Sequence, residues 1–315
     1  MAIKIFHACD PHGSTKTWEK MCRAPEVFKV DVAMMCGDLT GKAIMPIVQE
    51  KENRWYAQPY GRKKTFKKKK DLDRFIEFTE TEGFYPVILT PDELAELRED
   101  KKKVQALFDK LMIERLQKWL DMAVEKVPKE TVIVVNPGND DSWAIDDVIK
   151  NHERVIYPLK RVVEVTPHHK MISMEWVNST PWNTHRECSE EELKEKLEEE
   201  FARVTENDYE NLLCNFHAPP YGSTLDVAPQ LKDHKIQYAG GFSLSEPVGS
   251  HAVREVIEKY QPLVGMHGHI HESVGFTYIG RTLCVNPGSE YREGILKGFI
   301  ITLEDGKATA GRVEL

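Results

Sequence analysis

Five times along this chain a short apolar run stops at a cluster of Asp, Asn, His and Gly. The clusters are Asp10-Pro11-His12-Gly13, Gly37-Asp38, Gly138-Asn139-Asp140-Asp141, Asn215-Phe216-His217 and Gly268-His269-Ile270-His271. The runs before them are Ile3 to Ala8, Val30 to Cys36, Thr131 to Val135, Asn211 to Phe216 and Leu263 to Met266. Their length and apolar character fit buried strands. Between the first two, Thr15 to Phe28 is helix-like after the Gly13-Ser14 turn, which suggests a parallel β-α-β unit. Ligands bind at the carboxyl ends of the strands of an α/β sheet, so the polar clusters are expected to gather there.

The alternation breaks from about residue 42 to 130. Strand signal is weak there, while Val104, Leu107, Phe108, Leu111, Leu116, Trp119, Leu120 and Ala123 form a helical ladder closed by Pro128. We read a mostly helical insertion in a single domain that spans 1–315, with the ladder as core or as an oligomer face. Further on, Arg161 to Val177 reads as a hairpin turning near Pro167-His168-His169-Lys170. Glu190 to Val204 and Ala252 to Tyr260 read as helices, and the stretch from Ser273 onward as a β meander.

Each cluster alone is weak, since a lone His or Asp at a strand end is more often structural. Together they offer carboxylates, an amide oxygen and imidazoles, a mixture that suits Mn, Fe, Zn or Ni. In the His-x-His pattern, alternate residues point to one face and can share a site. The ordered series Asp10-x-His12, Gly37-Asp38, Gly138-Asn139, His217, Gly268-His269-x-His271 resembles the calcineurin-like metallophosphoesterase superfamily, over nearly the whole chain. More narrowly, His217-Ala218-Pro219-Pro220-Tyr221-Gly222 and Asn286-Pro287-Gly288-Ser289-Glu290-Tyr291 resemble phosphoesterases related to the bacterial cyclic-nucleotide phosphodiesterase.

The resemblance implies an α/β fold, a four-layer α-β-β-α sandwich with two sheets face to face, metals at one edge and the insertion over or beside them. It implies two divalent metal ions, the first bound by Asp10, His12 and His271 and the second by Asn139, His217 and His269. Asp38 would bridge them. A hydroxide between the ions would attack phosphorus in line, with Asn139 helping to stabilise the added charge. Asn139, Asp140 and His217 are the residues expected to take part in catalysis. His267 is left open.

One departure stands out: the family usually has a substrate-contacting His where this chain has Asp140. An aspartate beside two cations should have a lowered pKa and be a poor general acid at neutral pH. Either the leaving group needs little protonation, or a residue such as His168, His169 or His185 supplies the proton. The departure tilts the reading towards a phosphodiesterase. The alternatives are a phosphomonoesterase acting on a small phosphorylated metabolite and a catalytically weak binding scaffold with this fold. A DNA nuclease of the superfamily is disfavoured, because those carry a capping domain after the catalytic core.

Composition fits a globular protein, 41% hydrophobic and 30% charged. The net charge of −8 argues against nucleic acid as a partner and leaves a small anionic phosphoester as the expected one. The basic run from Arg62 to Lys70 reads as a solvated face, or as a steering patch for an anion. No run is long enough to span a membrane. Six sparse cysteines fit buried thiols in a reducing cytoplasm rather than a disulfide framework. Trp182 and Arg186 could wall the pocket and meet phosphate, or merely pack, and the Gly288-Ser289 turn is a second candidate for a backbone contact to phosphate.

Overall fold

The structure is a computed structural model and describes residues 2–304 and 306–315. Two sheets face each other. The first has the order Lys307–Glu314, Lys297–Glu304, Ile3–Ala8, Val32–Cys36 and Val132–Asn136, the last three parallel. The second has the order Gly275–Ile279, Thr282–Asn286, Val264–Met266, Leu213–Phe216, His169–Met174 and Val163–Thr166. Its four inner strands are parallel.

Side chains alternate across each strand and so face two different cores. Ile5, Met34 and Val134 of the first sheet meet Met171, Leu213, Met266 and Leu283 of the second in the space between the sheets. Their neighbours Phe6, Ala33, Met35, Ile133 and Val135 point the other way, onto helices Thr15–Phe28 and Lys101–Lys126. On the far side of the second sheet, Ile172, Cys214 and Phe216 meet helices Glu190–Phe201 and His251–Tyr260 through Leu193, Leu197, Val253 and Val256. Burial on both faces explains why these strands read as unbroken apolar runs. The result is the four-layer α-β-β-α sandwich.

Three features differ from the sequence reading. The insertion carries a four-stranded sheet, in the order Lys64–Phe66, Arg54–Ala57, Ile44–Lys51, Tyr85–Leu89. It has its own small core of Ile47, Trp55, Phe66, Leu72 and Phe75. Pro46 and Pro86 lie inside two of these strands and hide them, because proline argues against a strand from sequence alone. Second, the helix that ends the insertion belongs to the main body: Trp119 stacks on Trp18, ring centroids 5.0 Å apart, and Trp18 donates to the Trp119 carbonyl at 2.7 Å. Third, the meander is two hairpins, one in each sheet.

A β-arm between residues 227 and 247, unassigned by sequence, begins where Val227–Pro229 pairs with Ser245–Pro247. The six cysteines are buried and unpaired. Among the described residues no helix is long and apolar enough to cross a membrane.

Candidate metal centre

The five polar clusters follow the carboxyl ends of parallel strands in both sheets. The first sheet delivers Asp10 and His12, then Asp38, then Asn139 and Asp140. The second delivers His217, then His269 and His271. All of these converge. His12 Nε2 lies 3.0 Å from His271 Nε2 and 3.6 Å from Asp38 Oδ2, and His271 Nε2 lies 3.9 Å from Asp10 Oδ2. His217 Nε2 lies 3.0 Å from Asn139 Oδ1, 3.5 Å from Asp38 Oδ1 and 3.9 Å from Asp10 Oδ1.

Donor atoms of Asp38, His217 and His269 fall within 4.8 Å of one another, as do those of His12, Asp38 and Asp140. Asp38 belongs to both groups and turns one oxygen towards each. Asp10 Oδ1 is buried without a hydrogen-bond partner, as are His12 Nδ1 and His217 Nδ1. Buried orphan acceptors are costly, so such a crowd of oxygen and imidazole donors fits divalent cations well.

The backbone is bent to bring these groups together. Asp10, His12, Asp38 and His269 have φ of +55°, +39°, +41° and +66°, in the left-handed region. Each such residue costs about 1–3 kcal/mol and persists only where its surroundings hold it. The holding contacts are visible. Buried Asp141 accepts from the backbone N–H groups of Leu39, Thr40 and Gly138 at 2.8, 2.7 and 2.9 Å, tying the Asp38 turn to the Asn139 turn. Ser289 Oγ donates to the Asp10 carbonyl at 2.7 Å. Asn286 Nδ2 donates to the carbonyls of Gly268 and Ile270 at 3.3 and 3.0 Å. His267 Nδ1 donates to the carbonyls of Phe216 and Ala218, both at 2.9 Å, and so grips the chain on either side of His217. Behind it, His7 Nε2 donates to the His267 carbonyl at 3.0 Å. Gly138 must be glycine, since a Cβ there would sit 2.4 Å from Asp38 Oδ1 and 2.7 Å from His217 Nε2.

Other candidates separate out. Arg186 is wholly buried and donates to the carbonyls of Gly138 and Asp141 while its guanidinium covers Trp143, so it supports the turn and does not face a ligand. Ser289 spends its backbone N–H on the His271 carbonyl at 3.2 Å, which removes it as a phosphate contact. His168 and His169 lie at the opposite end of the second sheet. His185 is exposed and near enough to pull the Asp140 carboxyl down. Trp182 is exposed, its ring 5.4 Å from that of His234 in the β-arm. Sequence reasoning missed Lys42, whose Nζ is 3.0 Å from Asp140 Oδ2; Tyr291, by sequence a weaker candidate than the Gly288-Ser289 turn, has its ring centroid 4.9 Å from that of His12. Lys42 had a faint signal in its place four residues after Asp38.

Protonation reflects the crowding. Burial disfavours the His217 cation, but the carboxylates of Asp38 and Asp10 outweigh it and lift His217 to about 9. Burial also opposes the Asp38 charge, yet His217 and His12 hold that carboxyl well below its usual range. Burial and the His217 charge take His269 down to about 3. Asp140 is pushed up by burial and by Asp38 and pulled back by Lys42, so the lowering expected beside two cations is not what the protein groups alone produce. A cation entering such a cluster would displace protons.

No family model matches the chain. A stretch of 153 residues is 31% identical to Uncharacterized protein MJ1162 of Methanocaldococcus jannaschii, and it makes up 48% of this chain and 61% of that protein. The match therefore spans less than two thirds of the relative's length. In three dimensions one solved structure superposes with a TM-score of 0.59 at 17% identity over 99% of both chains. The crystal structure of TT1561 of Thermus thermophilus does so at 0.54 and 13%, again over 99% of both. At these identities the likeness is one of fold.

Proposed function

We propose that this chain is a metal-dependent phosphoesterase of the calcineurin-like kind, acting by preference on phosphodiesters. The observation that supports it most is the convergence of Asp10, His12, Asp38, Asn139, His217, His269 and His271, drawn from two sheets, around one carboxylate that faces both halves. Asp10, His12 and His271 would hold one cation, Asn139, His217 and His269 the other, and Asp38 both. Two bound divalent ions supply Lewis acidity towards a phosphoryl group and a water of lowered pKa. The reading treats the chain as one domain with an insertion at about 42–130, working in a reducing compartment such as the cytoplasm, where its buried thiols would stay free.

The protein's own part is positional. Asn139 fixes its side chain by donating from Nδ2 to Thr184 Oγ1 at 2.7 Å, which leaves Oδ1 aimed at His217 and the cluster. Asp140 donates its backbone N–H to Asp38 Oδ1 at 2.9 Å, and this keeps the shared carboxylate from turning. Diesters are favoured because the charged pair at the mouth, Asp140 with Lys42, is neutral overall. It offers no surplus cation for the second charge of a monoester.

The test is hydrolysis of a p-nitrophenyl phosphodiester beside the matching monoester, with Mn²⁺ added and with chelator as control. Diester turnover that chelator removes is expected. Monoester preference would keep the centre and change the substrate class, and no turnover with either would return the scaffold reading.

A further inference from the structure

Among the described residues, Lys42 is the one lysine or arginine in ion-pair contact with a residue of the cluster; the cluster's other close charge contacts are made by histidines. Its Nζ sits 3.0 Å from Asp140 Oδ2, and that oxygen is 3.7 Å from His12 Nδ1. The ammonium thus stands one carboxylate away from the ligand atoms. Its side chain is 57% exposed, so it can be reached from solvent, whereas Arg186 cannot.

The base of Lys42 is fixed from two sides. Thr40 donates its backbone N–H and its hydroxyl to Asp141 Oδ1, at 2.7 and 2.6 Å. Gly41 donates its N–H to Tyr85 Oη at 2.9 Å and lies so close to the insertion that an added Cβ would be 1.8 Å from the Gly83 carbonyl oxygen. The chain enters Lys42 clamped, and Asp140 sets the direction of its far end.

The pairing answers a problem of charge. A bare Asp140 carboxylate at this mouth would repel every phosphoester. An ammonium has three donors, and the ion pair with Asp140 leaves donors for an incoming oxygen. We propose that Lys42 is the residue that binds the phosphoryl oxygens of the substrate, held over the cluster by Asp140. This rests on the phosphoesterase reading and adds to it an ammonium donor paired with Asp140, the residue that stands where the resemblance leads one to expect a histidine. The insertion thereby takes part in recognition, because its strand Tyr85–Leu89 carries the clamp on Gly41.

The experiment uses the full chain loaded with Mn²⁺, its metal content measured by mass spectrometry, and inorganic phosphate as the probe in calorimetry. Lys42→Gln should weaken phosphate about tenfold or more, the usual worth of a hydrogen bond from a charged donor, with metal content unchanged. It should raise KM for the nitrophenyl diester by a similar factor and change kcat less. Lys42→Arg should restore phosphate binding to within about threefold, since it keeps the charge. Phosphate binding equal to the parent's at equal metal content would overturn the assignment. So would loss of metal in Lys42→Gln, because Lys42 would then support the cluster and not the substrate. If the parent chain binds neither Mn²⁺ nor phosphate, the phosphoesterase reading falls first and this assignment with it.

Discussion

Two turns of this protein look alike on paper. Pro167-His168-His169-Lys170 and His267-Gly268-His269-Ile270-His271 are both histidine-rich, and both adjoin strands of the same sheet. The first enters strand His169–Met174 at its amino end. The second leaves strand Val264–Met266 at its carboxyl end. Leu213–Phe216 lies between these two strands and runs parallel to both, so the turns stand at opposite edges. Along His169–Met174 the separation is roughly 16 Å at the usual rise per residue. Residue type is shared, while strand direction decides which histidines meet carboxylates.

The strongest test of that contrast is functional. Asp38→Ala or His217→Ala should lower chelator-sensitive diester turnover by about a thousandfold or more, on the scale of losing a group that stabilises charge in the transition state. The double change His168→Ala with His169→Ala should leave it within about twofold. Circular dichroism should show all of these variants folded. Retained turnover in the first pair, or a large loss in the second, would reverse the assignment of edges.

A second test asks what keeps the working edge in shape. Asp141→Ala would strip acceptors from Leu39, Thr40 and Gly138 inside the protein. It should cost about 3 kcal/mol in urea unfolding, the order expected for buried donors left unpaired. A loss below about 1 kcal/mol would mean that the strained turns hold themselves.

The last test concerns pH. His7 and His267, at the working edge but behind it, are both taken down to about 4 by burial, from an ordinary value of 6.5. Unfolded chains therefore bind more protons than folded ones between those values, so this contribution to stability is complete above about 6.5 and is lost as pH falls towards 4. Unfolding free energy measured across that window should slope downward with acid. His7→Gln, which still offers a donor to the His267 carbonyl, should flatten part of the slope. An unchanged slope would argue that His7 is not the buried neutral ring described above.

The proposed ligands could be picked out because each sits at the end of a local pattern, an apolar run followed by a polar cluster, while their division between two cations came from the family resemblance. Asp10, Asp38 and His217 needed no knowledge of distant residues. The supports were not legible for the opposite reason. Asp141 touches Leu39 and Thr40 across about a hundred residues of chain, and Arg186 lies buried because of Gly138 and Trp143. Nothing near Arg186 in sequence distinguishes a buried strut from a phosphate clamp. The insertion sheet was masked by Pro46 and Pro86, and the β-arm by the brevity of its pairings.

The convergence of side chains from two separate sheets has a mechanical consequence. On the proposed reading, a cation held by Asp38 and His217 together binds only while the sheets face each other, and so acts as a rivet between them. Its binding free energy is then also adhesion between the two halves, about 2.7 kcal/mol per site when free ion stands a hundredfold above Kd. Supply of the ion would govern how long the molecule stays assembled, quite apart from what it hydrolyses.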